Sequence, residues 1–212
     1  SFYKEHQAKT YARWAESTPD DFKFSVKLWK HFIHERRFEV EENELSESLD
    51  AIKELGNKLG VILVQLPPSL EFDARVARKF LSMLRKHFKG RLAIEPRHRS
   101  WSKSAALKLL EDLEVSMVIA DPERVVIESL ADAIRAQSAG NIRYERLHGS
   151  PEIYRSLYGP ERLAAVEQEL IRSAKSGLES WCIFDNTTFG HAISNAADLR
   201  MKVHQDSGWR FG

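Results

Sequence analysis

The chain carries one cysteine, Cys182, in 212 residues. That excludes an internal disulfide framework and fits a reducing compartment. It lacks a surplus of either charge: 32 Lys and Arg stand against 31 Asp and Glu, for a formal net charge of +1. Domains whose main task is to grip a phosphate backbone are usually strongly basic, so this balance counts against nucleic acid as the principal partner. Long apolar runs are missing too. The longest purely aliphatic stretch, Val61–Val64, falls far short of the roughly 20 residues of a spanning helix, so no membrane partner is expected. No signal peptide opens the chain, and a cytoplasmic location is the expectation. The chain starts at Ser1-Phe2-Tyr3 without an initiator Met and reads as the end of a longer element. The sequence contains neither G-x-G-x-x-G nor a P-loop, which removes the usual signatures of dinucleotide and nucleotide sites.

What is present is a globular composition, 42% hydrophobic and 30% charged, long enough to bury a sizeable core unaided. Strand-like and helix-like runs alternate. Six strands are expected: Phe22–Lys27, Leu59–Leu66 closed by Pro67-Pro68, Arg91–Glu95 closed by Pro96, Val115–Ala120 closed by Asp121-Pro122, Ile142–Leu147, and Trp181–Phe184. Helical spacing of apolar residues marks 43–58, a stretch opened by the N-cap candidate Asp73 and closed by Gly90, a stretch from Ser102 or Ser104 through Leu113, Pro160–Lys175 closed by Gly177, and Gly190–Val203. Residues 123–140 read as a mixture of helix and loop, and His204–Gly212 as a polar tail. Strands joined by helices imply a parallel sheet. Either a (β/α) barrel or a doubly wound sheet fits, with residues 1–203 as one domain.

Side chains alternate faces along a strand. Counting back from each strand's C-terminal end, one face is apolar throughout: Phe24, Val26, Ile62, Val64, Leu92, Ile94, Val118, Leu147, Cys182 and Phe184. The other turns polar at its end, with Lys27, Gln65, Glu95, Asp121, Arg146, His148 and Asp185. In a barrel those groups converge at the C-terminal mouth, where barrel enzymes keep their sites.

Four motifs occur in order: Gln65-Leu66-Pro67-Pro68, Glu95-Pro96-Arg97-His98-Arg99-Ser100-Trp101, Arg146-Leu147-His148-Gly149 and Phe184-Asp185-Asn186-Thr187. Supporting matches are Phe22–Lys27, His34-Glu35-Arg36-Arg37, Ala120-Asp121-Pro122, and Ala192 with Asn195-Ala196. With these, the chain resembles the YecE-like family, domain of unknown function 72, over residues 1 to about 203. The resemblance implies a TIM-like (β/α) barrel, here without the family's first strand and most of its second. It adds His34 and Asn195 to the expected ligand-binding residues and implies no known activity. Ile33 stands where the family usually has Thr, and Glu145 where an apolar residue is usual, on the helix-facing side by parity.

The expected site combines several chemistries. Glu95 lies beside Arg97, His98 and Trp101; a guanidinium favours its ionised form and an indole opposes it. Arg146 offers a two-point fork for an anion, and His148 can shuttle a proton near neutral pH. Asp185 and Asn186 can orient a substrate, and Tyr154 and Tyr158, on the loop after His148, can cover one. The leading expectation is an enzyme that acts on a small polar or anionic molecule by acid–base chemistry, as a hydrolase, lyase or isomerase. Glu95, His148 and Asp185 are its catalytic candidates. Lys27, His34, Gln65, Arg97, His98, Trp101, Asp121, Arg146, Tyr158, Asn186 and Asn195 are the substrate-binding ones. No cofactor is expected. Glu95, Asp121, His148 and Asp185 form the one mixed set that could take a divalent ion, without any H-E-x-x-H or C-x-x-C spacing to support it. The alternatives are a non-catalytic ligand-binding barrel and a nucleic-acid-processing protein.

Overall fold

The computed structural model describes residues 3–207. It is a parallel α/β protein whose described strands lie in two sheets, with no closed ring among the described residues. The elements run α1 (Ala8–Glu16), β1 (Phe24–Lys27), α2 (Glu42–Lys53), β2 (Leu59–Gln65), α3 (Ala74–His87), β3 (Arg91–Glu95), α4 (Ser104–Asp112), β4 (Val115–Met117), β5 (Ile119–Asp121), α5 (Leu130–Ser138), β6 (Ile142–Leu147), α6 (Pro160–Lys175), β7 (Glu179–Phe184) and α7 (His191–Ser207). All six expected strands form, and the fourth is divided into β4 and β5 at Val118. Helix α1 was not anticipated. Helix α5 takes up part of the ambiguous stretch, and α7 extends four residues into the expected tail. Residues 1–2 and 208–212 lie outside the described residues.

The chain divides into two compact units. The first runs through Met117 and includes Val125–Gly140. Its sheet is ordered β1-β2-β3-β4, all parallel. Val26, Ile62, Val64, Leu92, Ile94, Val115 and Met117 pack with Leu45, Leu49, Phe80, Leu84, Leu109 and Leu110 from the helices in one apolar cluster. The helices begin and end for local reasons. Asp73 caps α3 by accepting from the amides of Arg75 and Val76, both at 2.9 Å, satisfying N–H groups that have no partner within the helix. Lys58 ties down the chain leaving α1 by donating to the carbonyls of Ala15 and Thr18 at 2.6 and 2.7 Å. Arg85 spreads its guanidinium over the carbonyls of Leu113, Gly90 and Glu114.

The second unit holds Val118–Arg124 and the chain from Asn141 on. Its sheet is ordered β5-β6-β7, again parallel. Its apolar cluster is small: Leu147, Tyr158, Leu163, Val166, Leu170, Leu199 and Val203, with Cys182 and Phe184 against it. Charge fills the rest of this layer. Glu145, 1% exposed, receives Arg143 at 3.1 Å and Arg162 of α6 at 3.2 Å. Arg162 also holds Asp121 at 2.8 Å. Glu145 therefore sits on the helix side, as its parity suggested.

Register corrects one expectation. Asp121 pairs with Leu147, which pairs with Phe184, and residues in register on a parallel sheet share a face. Asp121 thus points to the helix side, away from the face of Arg146. Met117 likewise pairs with Ile94 on the apolar face. A polar residue at a strand end did not mark the same face here, because α6 supplies a counter-charge in Arg162.

Candidate functional site

In the first unit, register places Lys27 beside Leu63 and Gln65 beside Glu95, so Lys27, Gln65 and Glu95 share a face at the C-terminal strand ends. Lys27 Nζ donates to Gln65 Oε1 at 3.3 Å. Glu95, 1% exposed, is met by Arg97 through Nη2 at 3.2 Å and Nε at 3.4 Å. His34 stands in a short π-helical turn, His31–Glu35. Burial first, then the positive charges of Arg97 and Lys27, hold its pKa below the usual imidazole value, so the ring is kept neutral beside this cationic group.

Trp101, His98 and Ser100 of the Glu95–Trp101 motif make bonds within the fold. Trp101 is fully buried, donates from Nε1 to the Leu70 carbonyl at 3.0 Å, and meets Phe72 edge-on. His98 caps the short 3₁₀ turn that follows, accepting from the Ser100 amide and pairing with Ser100 Oγ at 2.8 Å. Ser100 Oγ in turn accepts from the Phe72 amide at 2.7 Å. The motif thus joins the loop before α3 to the loop after β3, and of its residues Glu95 and Arg97 form the polar pair.

In the second unit, Arg146 pairs with Ile183 in register, which puts Arg146, His148 and Asp185 on one face. Asp185 Oδ2 joins the other two: Arg146 Nη2 at 2.7 Å and His148 Nδ1 at 3.1 Å. Backbone bonds set the strand ends, with the Asp185 amide donating to the Leu147 carbonyl and the His148 amide to the Asp121 carbonyl, both at 2.8 Å. His148 is fully buried and the ring of Tyr154 meets it edge-on at 5.9 Å. Tyr154, one of the two loop aromatics expected to be able to cover a ligand, has a left-handed backbone (φ 67°).

Tyr158 is buried, with its hydroxyl accepting from the Gly149 amide at 2.8 Å and donating to the Asp121 carbonyl at 3.2 Å. Burial pushes its pKa up to about 12, so it stays protonated across the physiological range. Asn195 holds the backbone of Tyr158 at both its amide and its carbonyl, and accepts from Asn186 Nδ2 at 2.9 Å. Asn186 Nδ2 also reaches the Ser156 carbonyl. Its Oδ1 is a buried acceptor with no hydrogen bond among the described residues. Cys182 packs on the helix side, and burial followed by the Glu145 carboxylate raises its thiol pKa, which suppresses the reactive thiolate.

Asp121 is committed to Arg162 on the opposite face from Asp185, and among the described residues no three His, Cys, Asp or Glu side chains gather as ligands. Among those same residues no helix is long and apolar enough to cross a membrane.

Parallel strands joined by helices, with Arg146, Asp185 and the buried His148 bonded to one another at the ends of β6 and β7, define the class: a parallel α/β protein. The chain belongs to the family described as protein of unknown function DUF72, whose sequence model matches residues 1–209. It is 33% identical to the UPF0759 protein YunF of Bacillus subtilis over 111 residues, a stretch covering 48% of this chain and 38% of that protein. Its fold is similar to a DUF72 family protein of Thermotoga maritima, with TM-score 0.76 and 22% identity over 96% of this chain and 82% of the other. A DUF72 family protein of Enterococcus faecalis matches with TM-score 0.80 and 20% identity over 100% of this chain and 83% of the other. At these identities the two structures show a shared fold.

Proposed function

We propose that the chain has a TIM-like (β/α)-barrel architecture and is a cytoplasmic enzyme acting by acid–base chemistry on a small polar or anionic substrate at the C-terminal strand ends. The observation that carries this reading is the Asp185 carboxylate shared between Arg146 and His148 Nδ1. A carboxylate that accepts from Nδ1–H fixes the imidazole tautomer and assigns proton exchange to Nε2. It also stabilises the imidazolium formed when Nε2 takes a proton. Arg146 holds Asp185 in place through an ion pair at 2.7 Å. Within the first unit, Glu95, gripped by Arg97, is an acid–base candidate and Lys27 a cation suited to an anion; within the second, Arg146 is the cation of that kind. Proton transfer through these groups uses no cofactor.

The test is a screen of the protein against phosphorylated and carboxylated metabolites, repeated with His148→Gln and Asp185→Asn. A substrate that turns over should lose on the order of 10²–10⁴-fold in kcat in His148→Gln, the range for a positioned general acid or base. Full turnover in both variants would overturn the assignment.

A further inference from the structure

We propose that Tyr158 and Asn195 are positioning residues that set the geometry between His148 and Asp185, an inference that deepens the proton-transfer reading of that site. A ring of short bonds connects the two. Asp185 is followed by Asn186, whose Nδ2 donates to Asn195 Oδ1 at 2.9 Å. Asn195 clasps Tyr158 at both backbone groups, accepting from its amide at 3.1 Å and donating to its carbonyl at 2.9 Å. The Tyr158 hydroxyl returns to the other strand end, accepting from the amide of Gly149, the residue after His148, at 2.8 Å. It also donates to the Asp121 carbonyl, the same oxygen that receives the His148 amide.

The phenol thereby bonds the Gly149 amide directly and shares the Asp121 carbonyl with the His148 amide. The backbone of Tyr158 is held by the Asn195 side chain, which also accepts from Asn186, the residue beside Asp185. All three side chains of the ring are buried. In a low-dielectric setting such bonds reinforce one another, and an unmade one is costly. The Tyr158 ring also meets Phe184, the residue before Asp185, at 6.1 Å, so the ring system touches both strands that carry the pair. Gly149 is where the loop must turn closely: its φ is +100°, and a Cβ there would lie 2.9 Å from the Glu152 carbonyl oxygen. Sub-ångström placement matters because the bond from Nδ1 to Asp185 is what selects the tautomer, and it weakens steeply with distance and angle.

A purely structural tyrosine would contribute through its ring, and Tyr158 does belong to the apolar cluster of the second unit. Tyr158→Phe keeps that ring and removes the hydroxyl, so it separates the two roles. The readout is the ¹⁵N spectrum of the His148 imidazole and the hydrogen exchange of the Gly149 amide. Tyr158→Phe should shift the Nδ1 and Nε2 resonances of His148 away from a single tautomer and speed Gly149 exchange by about tenfold, the order of one lost hydrogen bond. Leu163→Ala, from the same apolar cluster, should lower stability while leaving the His148 spectrum in place. Asn195→Ser provides a second route, removing the clasp on Tyr158 without touching its ring, and should move His148 in the same direction. An unchanged His148 spectrum in both Tyr158→Phe and Asn195→Ser overturns the proposal. So does an equal shift in Leu163→Ala. None of these readouts needs a substrate. A shifted imidazole with full turnover in His148→Gln would therefore leave the positioning role standing and remove the catalytic one.

Discussion

The two units hold their sheets by different means. In the first, a broad apolar layer joins four strands to the helices, and the polar motif after β3 is drawn into it: Trp101 fills the core, His98 caps a turn, and Ser100 ties two loops. In the second, the apolar cluster is small and a charged lattice of Glu145, Arg143, Arg162 and Asp121 completes the layer. The polar end of β6 is correspondingly different, with Arg146, Asp185 and His148 engaged with one another. The richer motif in the sequence belongs to the unit that spends it on packing. The sparser one forms the bonded trio of Arg146, Asp185 and His148.

Four substitutions would break or sharpen that contrast. Trp101→Ala should cost the most, about 3–5 kcal/mol, since it empties a large fully buried site and strands the Leu70 carbonyl; urea unfolding measures it, and a loss under 1 kcal/mol would undo the structural reading of the motif. Glu145→Gln comes next. It removes the charge that Arg143 and Arg162 share, and about 1–3 kcal/mol should follow in the same assay. A neutral result would mean that the second unit does not depend on its charged layer.

Asp73→Ala should remove about 1 kcal/mol through the lost cap on α3, an effect confined to the first unit. The smallest effect concerns pH. Because the folded-state pKa of His34 lies below its ordinary value near 6.5, the unfolded chain binds the extra proton, and stability should fall as pH drops below about 6.5. His34→Gln should flatten that part of the stability–pH curve. Tm values from pH 5 to 8 would check it, and an unaltered slope would place the titrating group elsewhere.

Much of the fold was legible because its signals are local. Breakers such as Pro67-Pro68 and Pro96 end strands, Asp73 opens α3, and aliphatic runs such as Val61–Val64 have no other stable place than a covered parallel strand. Helix α1 escaped notice because it is short and is anchored by Lys58, some forty positions further along. At the site, alternation correctly grouped Lys27 with Gln65 and Glu95, and Arg146 with His148 and Asp185. It failed for Asp121, since no count along one strand reveals an arginine arriving from another element.

The parallel α/β class, the strand ends, the family and the residue types available for chemistry follow from local pattern, because period, breakers and motifs are written in neighbouring positions. Tertiary structure alone decided which of those residues are spent on the fold and which face one another. Trp101 and His98 became struts, Asp121 turned to Arg162, and Asp185 came to lie between Arg146 and His148. Each of those outcomes depends on a partner 31, 41, 39 or 37 positions away or on a cap formed only once the loop is folded. Pairing at such separation is fixed by strand register and burial, which no local pattern encodes.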